Sequence, residues 1–250
     1  MKRTRHVAMI AFPGIQVLDV TGPLEVFGRT ARLLRELGRR DDDAYTIEVL
    51  ATKAGALTSS SGIRLIADRR VGAVRDGIDT LLVAGGNGTV EAMRDPAILG
   101  ALRRLAPRVR RLGSVCSGTF ILAAAGLLDG RRVTTHWGAC EALARAFPSL
   151  TVDPDPIFVR DGNVYTSAGV TAGMDLALAL VEEDEGREVA YAVARELVMF
   201  LRRPGGQSQY SAQLATQAAD REQFGEGCAR RPGGGRGGTA GHHAQPTAAL

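Results

Sequence analysis

The chain predicts an α/β fold with a mostly parallel sheet covered by helices on both faces. Three observations carry this. Short apolar runs that end at glycine or proline recur along the first two hundred residues. Segments with apolar residues at helical spacing separate them. The alternation of the two leaves parallel pairing through helical crossovers as the economical arrangement.

In order, "HVAMIAF" (6–12) is a buried strand stopped by Pro13-Gly14. "GPLEVFGRTARLLREL" places Leu24, Phe27, Ala31 and Leu34 on one helical face, and Pro23 suits a first turn. "YTIEVLAT" (45–52) reads as a strand, "GALTSSSGIRLIADRRV" as a turn-rich stretch with a small hairpin, and "DTLLVAGG" (79–86) as a strand closed by paired glycines. "AILGALRRLAPRVRRL" is a helix that Pro107 kinks or ends. The strand before Cys116 and the helix after it follow. Then come "RRVTTHW" as strand, "GACEALARAFP" as helix, and "IFVRDGNVYTSAG" as a hairpin turning at Asp161-Gly162-Asn163. The helices "TAGMDLALALVEEDEG" and "REVAYAVARELVMFL" close a domain over 1–203. Residues 204–224 have a linker-like character, and 225–250 form a glycine-dense tail expected to be disordered.

The 250 residues are 45% hydrophobic, enough for one sizeable core. No apolar run reaches the ~18 residues of a membrane span, and "MKRTRHVAMIAFPG" lacks a cleavage pattern, so a cytoplasmic protein is expected. Cys116, Cys140 and Cys228 are odd in number and far apart, which argues against a disulfide framework or a CxxC metal site. All but Lys2 and Lys53 of the 31 basic residues are arginine, and a net charge of +4 is too small to argue for nucleic acid. His242-His243, in the tail, is read as incidental, with no metal expected.

"SVCSG" (114–118) has the form of a nucleophile elbow, a tight strand-to-helix turn that lifts its central side chain at the carboxyl edge of the sheet. The alternative is a small buried cysteine. A helix N-terminus behind Cys116 would favour its thiolate. Such a thiol needs a proton partner and a place for negative charge. The N–H groups of Gly85 and Gly86, with that of Ser117, are candidates for the second need, unless the glycines only make a turn. Asp19, and Glu25 beyond it, follow the first strand at the same edge. Asp19 is read either as a helix cap or as a partly buried carboxyl of raised pKa bonded to the sulfur. His136, twenty positions after Cys116, is a candidate base, and Cys140 is helix filler.

Together "VLDVTGPLEVF", "LLVAGG", "SVCSGTFILAAAGLLDGRRVTTHW", "VDPDPIFVRDGNVYTSAGVTAGMDLALALVEED" and "VARELVMFLRRPGGQSQYS" resemble the DJ-1/PfpI superfamily, the class I glutamine-amidotransferase-like sandwiches. The likeness is nearest to the N-terminal domain of GlxA-type AraC-family transcription regulators, and it extends to isonitrile hydratases. It implies a three-layer flavodoxin-like sandwich, a homodimer, no cofactor, and Cys116 with Asp19 at a small-molecule pocket. In the hydratases the elbow cysteine attacks the isonitrile carbon, and an acid at the position of Asp19 moves the proton. The superfamily's proteases have a histidine directly after the cysteine, where this chain has Ser117. In the regulators "FLRRPGGQSQYS" leads towards two helix-turn-helix motifs, whose apolar spacing the last residues here do not show. The resulting expectation is a ligand-sensing and dimerisation domain of such a regulator without its DNA-reading half, not binding specific DNA alone. The alternatives are a cysteine-dependent hydratase and, more weakly, a redox- or aldehyde-reactive thiol.

Overall fold

A computed structural model describes residues 3–210. The expectations for the 211–250 stretch, including Cys228, His242-His243, the disordered tail and the absence of helix-turn-helix motifs, lie outside the described residues. The main sheet has seven strands. They are β1 (Arg5–Ile10), β2 (Tyr45–Ala51), β5 (Arg69–Arg70), β6 (Thr80–Val83), β7 (Arg111–Val115), β10 (Phe158–Asp161) and β11 (Val164–Ser167), in the order β10-β11-β7-β6-β1-β2-β5. Every pair is parallel except the β10–β11 hairpin at the edge. β6 and β7 are buried throughout and, apart from Arg111 at the start of β7, read as apolar or small-residue runs, as suits strands covered on both faces.

On one face α1 (Val17–Glu36), α6 (Ala172–Glu185) and α7 (Arg187–Glu196) pack together; on the other lie α2 (Thr89–Ala92), α3 (Pro96–Leu105) and α4 (Gly118–Ala124). The hairpin β3 (Gly55–Thr58) with β4 (Arg64–Ala67) stands apart, as does the two-stranded unit β8 (Arg132–Val133) with β9 (Thr151–Val152), against which α5 (Cys140–Ala146) packs. α3 begins at Pro96 under an Asp95 cap and gives way to a 3-10 turn carrying Pro107, the break the proline dictates.

Three expectations are corrected. α1 starts at Val17, five residues before the predicted start, so Pro23 lies inside the helix and Asp19 falls in its first turn. "RRVTTHW" is strand only at Arg132–Val133. Beyond it the Thr134 N–H goes to Thr166 Oγ1 (2.8 Å) and the Thr135 hydroxyl to the Cys116 carbonyl (2.7 Å), so side chains take over the bonding a strand would use. Residues 204–210, read as the start of a linker, instead bury Gln207 against the body.

Close approach across layers needs glycine at Gly118. A Cβ there would collide with the Val83 carbonyl oxygen and stand 2.9 Å from that of Ala84. We expect Gly118→Ala to cost roughly 1–3 kcal/mol, the range for overpacking a tight core, in urea unfolding followed by circular dichroism.

Candidate functional site

The chain turns to opposite sides of β1 on its way to β2 and to β6, which opens the sheet's switch point at the carboxyl ends of β1, β6 and β7. Each of these ends delivers one part of the site. After β1 the loop is stitched to the end of β6 by the Gln16 N–H on the Gly85 carbonyl (2.8 Å) and by an Ile15–Gly86 bridge. That stitch fixes where α1 starts and aims Asp19 inward. After β7 the chain turns at Cys116, whose φ of 56° is in the left-handed region, and enters α4. A non-glycine residue there costs of order 1–3 kcal/mol and persists only when its surroundings hold it. Here they do. The Cys116 N–H forks to the Ser167 and Ala168 carbonyls (3.1 and 3.2 Å), and its own carbonyl accepts from Thr135 Oγ1.

Asp19 is fully buried. Its Oδ2 accepts the Gly85 N–H (2.9 Å) and its Oδ1 the Val170 N–H (3.1 Å), so it caps no helix but bonds backbone from two other elements. Val170 is itself held at φ 57°, a strained setting for a β-branched residue, and its N–H also reaches the Cys116 sulfur. The thiol and the carboxyl are hydrogen-bonded to one another. Burial pushes the Asp19 carboxyl up to about 7, against the pull of Gly85, Val170 and the thiol. Burial, reinforced by the Asp19 charge, pushes the Cys116 thiol up to about 12, against the Ser117 backbone N–H and hydroxyl and the Val170 N–H. At neutral pH the sulfur keeps its proton while Asp19 is near the middle of its titration. This overturns the expectation that the helix behind Cys116 favours thiolate. α4 has only seven residues, and burial together with the neighbouring carboxylate raises the thiol's pKa.

The paired glycines differ from expectation as well. The Gly85 N–H is committed to Asp19 and the Gly86 N–H to Ser117 Oγ (3.0 Å), which also lies 2.8 Å from Thr89 Oγ1. Neither donor is therefore free for an oxyanion. They are glycines because a Cβ on Gly85 would stand 2.6 Å from the Ser117 nitrogen and 2.9 Å from Cys116 Cβ, while Gly86 takes φ 142°. Glu25 is not part of the site. Six residues beyond Asp19, it faces the other way on α1 and pairs with Arg32 at 2.7 Å in solvent. His136 is brought in. A Cβ on Gly169 would run into its ring and also stand 3.1 Å from Cys116 Sγ, so ring and sulfur share one wall. Its Nδ1 accepts the Gly138 N–H (3.2 Å), and burial lowers its pKa, so the ring is neutral with its proton on Nε2, a donor rather than a base. Cys140 is buried, its sulfur 3.5 Å from the His136 carbonyl oxygen.

Sequence reasoning missed Val170 and a buried hydroxyl set. Ser114 Oγ meets Thr119 Oγ1 at 2.8 Å, Thr119 reaches the Thr134 carbonyl, and Thr134 and Thr135 receive the Gln207 amide. The Ser/Thr density around Cys116 was the available signal. Among the described residues no cluster of three or more His, Cys, Asp or Glu side chains is placed to hold a metal, and no helix is long and apolar enough to cross a membrane. A cavity of about 570 Å3, lined among others by Phe158, Asp175, Leu201 and Arg203, lies away from the thiol. Another of about 330 Å3 adjoins Trp137 and Cys140.

The DJ-1/PfpI family matches residues 5–183. The HTH-type transcriptional regulator CdhR of Pseudomonas aeruginosa is 34% identical over 208 residues, which cover 83% of this chain and 59% of CdhR, so the chain spans little more than half that regulator's length. The isonitrile hydratase of Pseudomonas putida is 35% identical over 199 residues, 77% of each chain. Among solved structures, a ThiJ/PfpI family protein from Pseudomonas syringae superposes with a TM-score of 0.70 at 29% identity, covering 87% of both chains.

Proposed function

Because the chain belongs to the DJ-1/PfpI family, we propose that its folded body is the small-molecule-sensing and dimerising domain of a GlxA- or CdhR-like AraC-type regulator, cytoplasmic and without a cofactor. One observation carries this reading over catalysis. The thiol keeps its proton, and the two glycine N–H groups that would have stabilised a developing negative charge are already bonded inside the protein. Such an arrangement is suited to binding rather than to stabilising a developing charge. Its partly exposed groups are Cys116, Ser117 and the Nε2–H of His136, with Asp19 buried behind the sulfur. Thermal-shift and calorimetric screening of small metabolites tests it. A ligand should raise the melting temperature of both wild type and Cys116→Ser, since recognition does not depend on a sulfur–carbon bond. Light scattering should give twice the chain mass of 26.4 kDa; a monomer would remove the dimerising role.

The hydrogen-bonded Cys116–Asp19 pair favours a second reading, a hydratase acting on isonitriles. The sulfur would add to the isonitrile carbon while its proton passes through Asp19 to that carbon, leaving a thioimidate. Water would then add and expel the thiol, releasing an N-substituted formamide. Isonitrile consumption that disappears in Cys116→Ala would replace the sensor reading with this one. Consumption that survives the change would remove the hydratase.

A further inference from the structure

Residues 203–210 cross the back of the wall that holds Cys116, and the side chain that reaches this wall is Gln207. Gln207 is 3% exposed. Its Nε2 donates to Thr134 Oγ1 (3.1 Å) and to the carbonyls of Thr135 (3.0 Å) and Pro156 (3.0 Å). The Thr135 hydroxyl in turn holds the Cys116 carbonyl, and the next residue, His136, supplies the ring that shares Gly169 with the sulfur. From thiol to strap the path is therefore Cys116 carbonyl, Thr135, Gln207, each step a bond of 2.7–3.0 Å.

The strap is tied to the body at two further places. The Gln207 N–H goes to the Asp155 carbonyl (2.6 Å), and the Ser208 N–H and hydroxyl go to Asp155 Oδ1 (3.1 and 2.6 Å). The Arg203 guanidinium pairs with Asp175 on α6 (2.7 Å) and lies 5.7 Å from the Tyr210 ring centre. α6 begins just after Gly169 and Val170, so the strap grips both segments of the wall, 134–136 through Gln207 and 169–175 through Arg203. One feature keeps this grip from being permanent. Gln207 Oε1 is buried with no hydrogen-bond partner among the described residues, so docking leaves a desolvated acceptor uncompensated.

We propose that residues 203–210 are a coupling strap. Displacement of the Thr134–His136 wall by an occupant or adduct at Cys116 loosens Gln207 and frees the chain towards its C-terminal continuation, and release of the strap loosens Cys116 in return. The coupling must be reciprocal, because both ends bias one equilibrium. The proposal rests on the sensor reading only for its purpose. Its test uses no ligand, so its failure leaves ligand binding at the pocket standing.

Gly169→Ala is an internal wedge, since its methyl must push the His136 ring and meets Cys116 Sγ at 3.1 Å. In hydrogen exchange on the full chain, the amides of Gln207 and Ser208 should exchange at least tenfold faster in Gly169→Ala than in wild type, while those of β1 and β6 keep their rates. Unchanged strap amides in a variant whose sheet is protected would overturn the coupling. Should the β1 and β6 amides also lose protection, the reciprocal measurement decides. Gln207→Ala should change the rate of Cys116 carbamidomethylation by iodoacetamide at least threefold and displace its pH midpoint. A profile identical to wild type would end the proposal.

Discussion

Asp19→Asn is expected to erase a pH dependence of stability worth on the order of 4 kcal/mol between pH 4 and pH 8. In the folded chain burial pushes the Asp19 carboxyl up to about 7, against 3.8 for an exposed aspartate. Between those values the folded protein holds a proton that the unfolded chain has released. Each rise in pH through the window therefore favours unfolding, at about 1.4 kcal/mol per unit of pKa difference. Asparagine cannot titrate and must turn its amide N–H2 towards either the Gly85 or the Val170 N–H, losing one bond at every pH. Urea unfolding of both proteins at pH 5 and pH 8 should thus show a wild-type advantage at pH 5 that shrinks, or reverses, by pH 8. A difference that stays constant would mean the carboxyl is charged throughout. The same variant should lower the pH at which Cys116 ionises, read from thiolate absorbance near 240 nm, because the Asp19 charge is the second cause holding the thiol up. Burial remains, so the midpoint should stay above the ~8.5 of an exposed thiol.

What the sequence made legible follows local physics. The apolar runs ending at Pro13-Gly14 and Gly85-Gly86 and the small residues around Cys116 located the carboxyl edge of the sheet and the turn, because strand ends and tight turns are written in adjacent residues. The errors came from longer-range effects. Pro23 was read as marking a helix start, yet the stitch between Gln16 and Gly85 nucleates α1 a turn and a half earlier, and only that start puts Asp19 at the sulfur. Glu25 was grouped with Asp19 by proximity in sequence, although six positions of helix turn it to the opposite face. The ionisation of Cys116 was judged from the helix behind it. The carboxylate that helps burial decide it stands on α1, and no local pattern around Cys116 shows how close it comes. Gln207 looked like linker because its partners, Thr134 and Thr135, lie seventy residues upstream.

At the opposite end of β7 a second buried charge gives a prediction of comparable size and contrary sign. Arg111 is 4% exposed and donates to Asp184 Oδ2 (2.8 Å) and Glu183 Oε2 (2.7 Å). Burial tends to raise the Asp184 carboxyl, but the Arg111 and Arg110 guanidiniums together outweigh it and hold the group below the usual carboxylate range. Arg111→Met removes one partner from that carboxylate, which keeps Arg110, Arg5 and the Tyr45 hydroxyl, so the cost should lie near about 3 kcal/mol, the low end for breaking a buried pair from one side. The loss should appear in full at neutral pH and fade on acidification through the carboxylate range, as Asp184, left with these three partners, takes up a proton; the Asp19 contribution grows in that same direction. Because the change lies at the amino end of the strand, the pH midpoint of Cys116 should stay where it is in wild type while the urea midpoint falls. A displaced thiol titration in Arg111→Met would show that β7 transmits strain along its length. The Asp19 result would then reflect general loosening of the strand and not the one contact between carboxyl and sulfur on which the pocket depends.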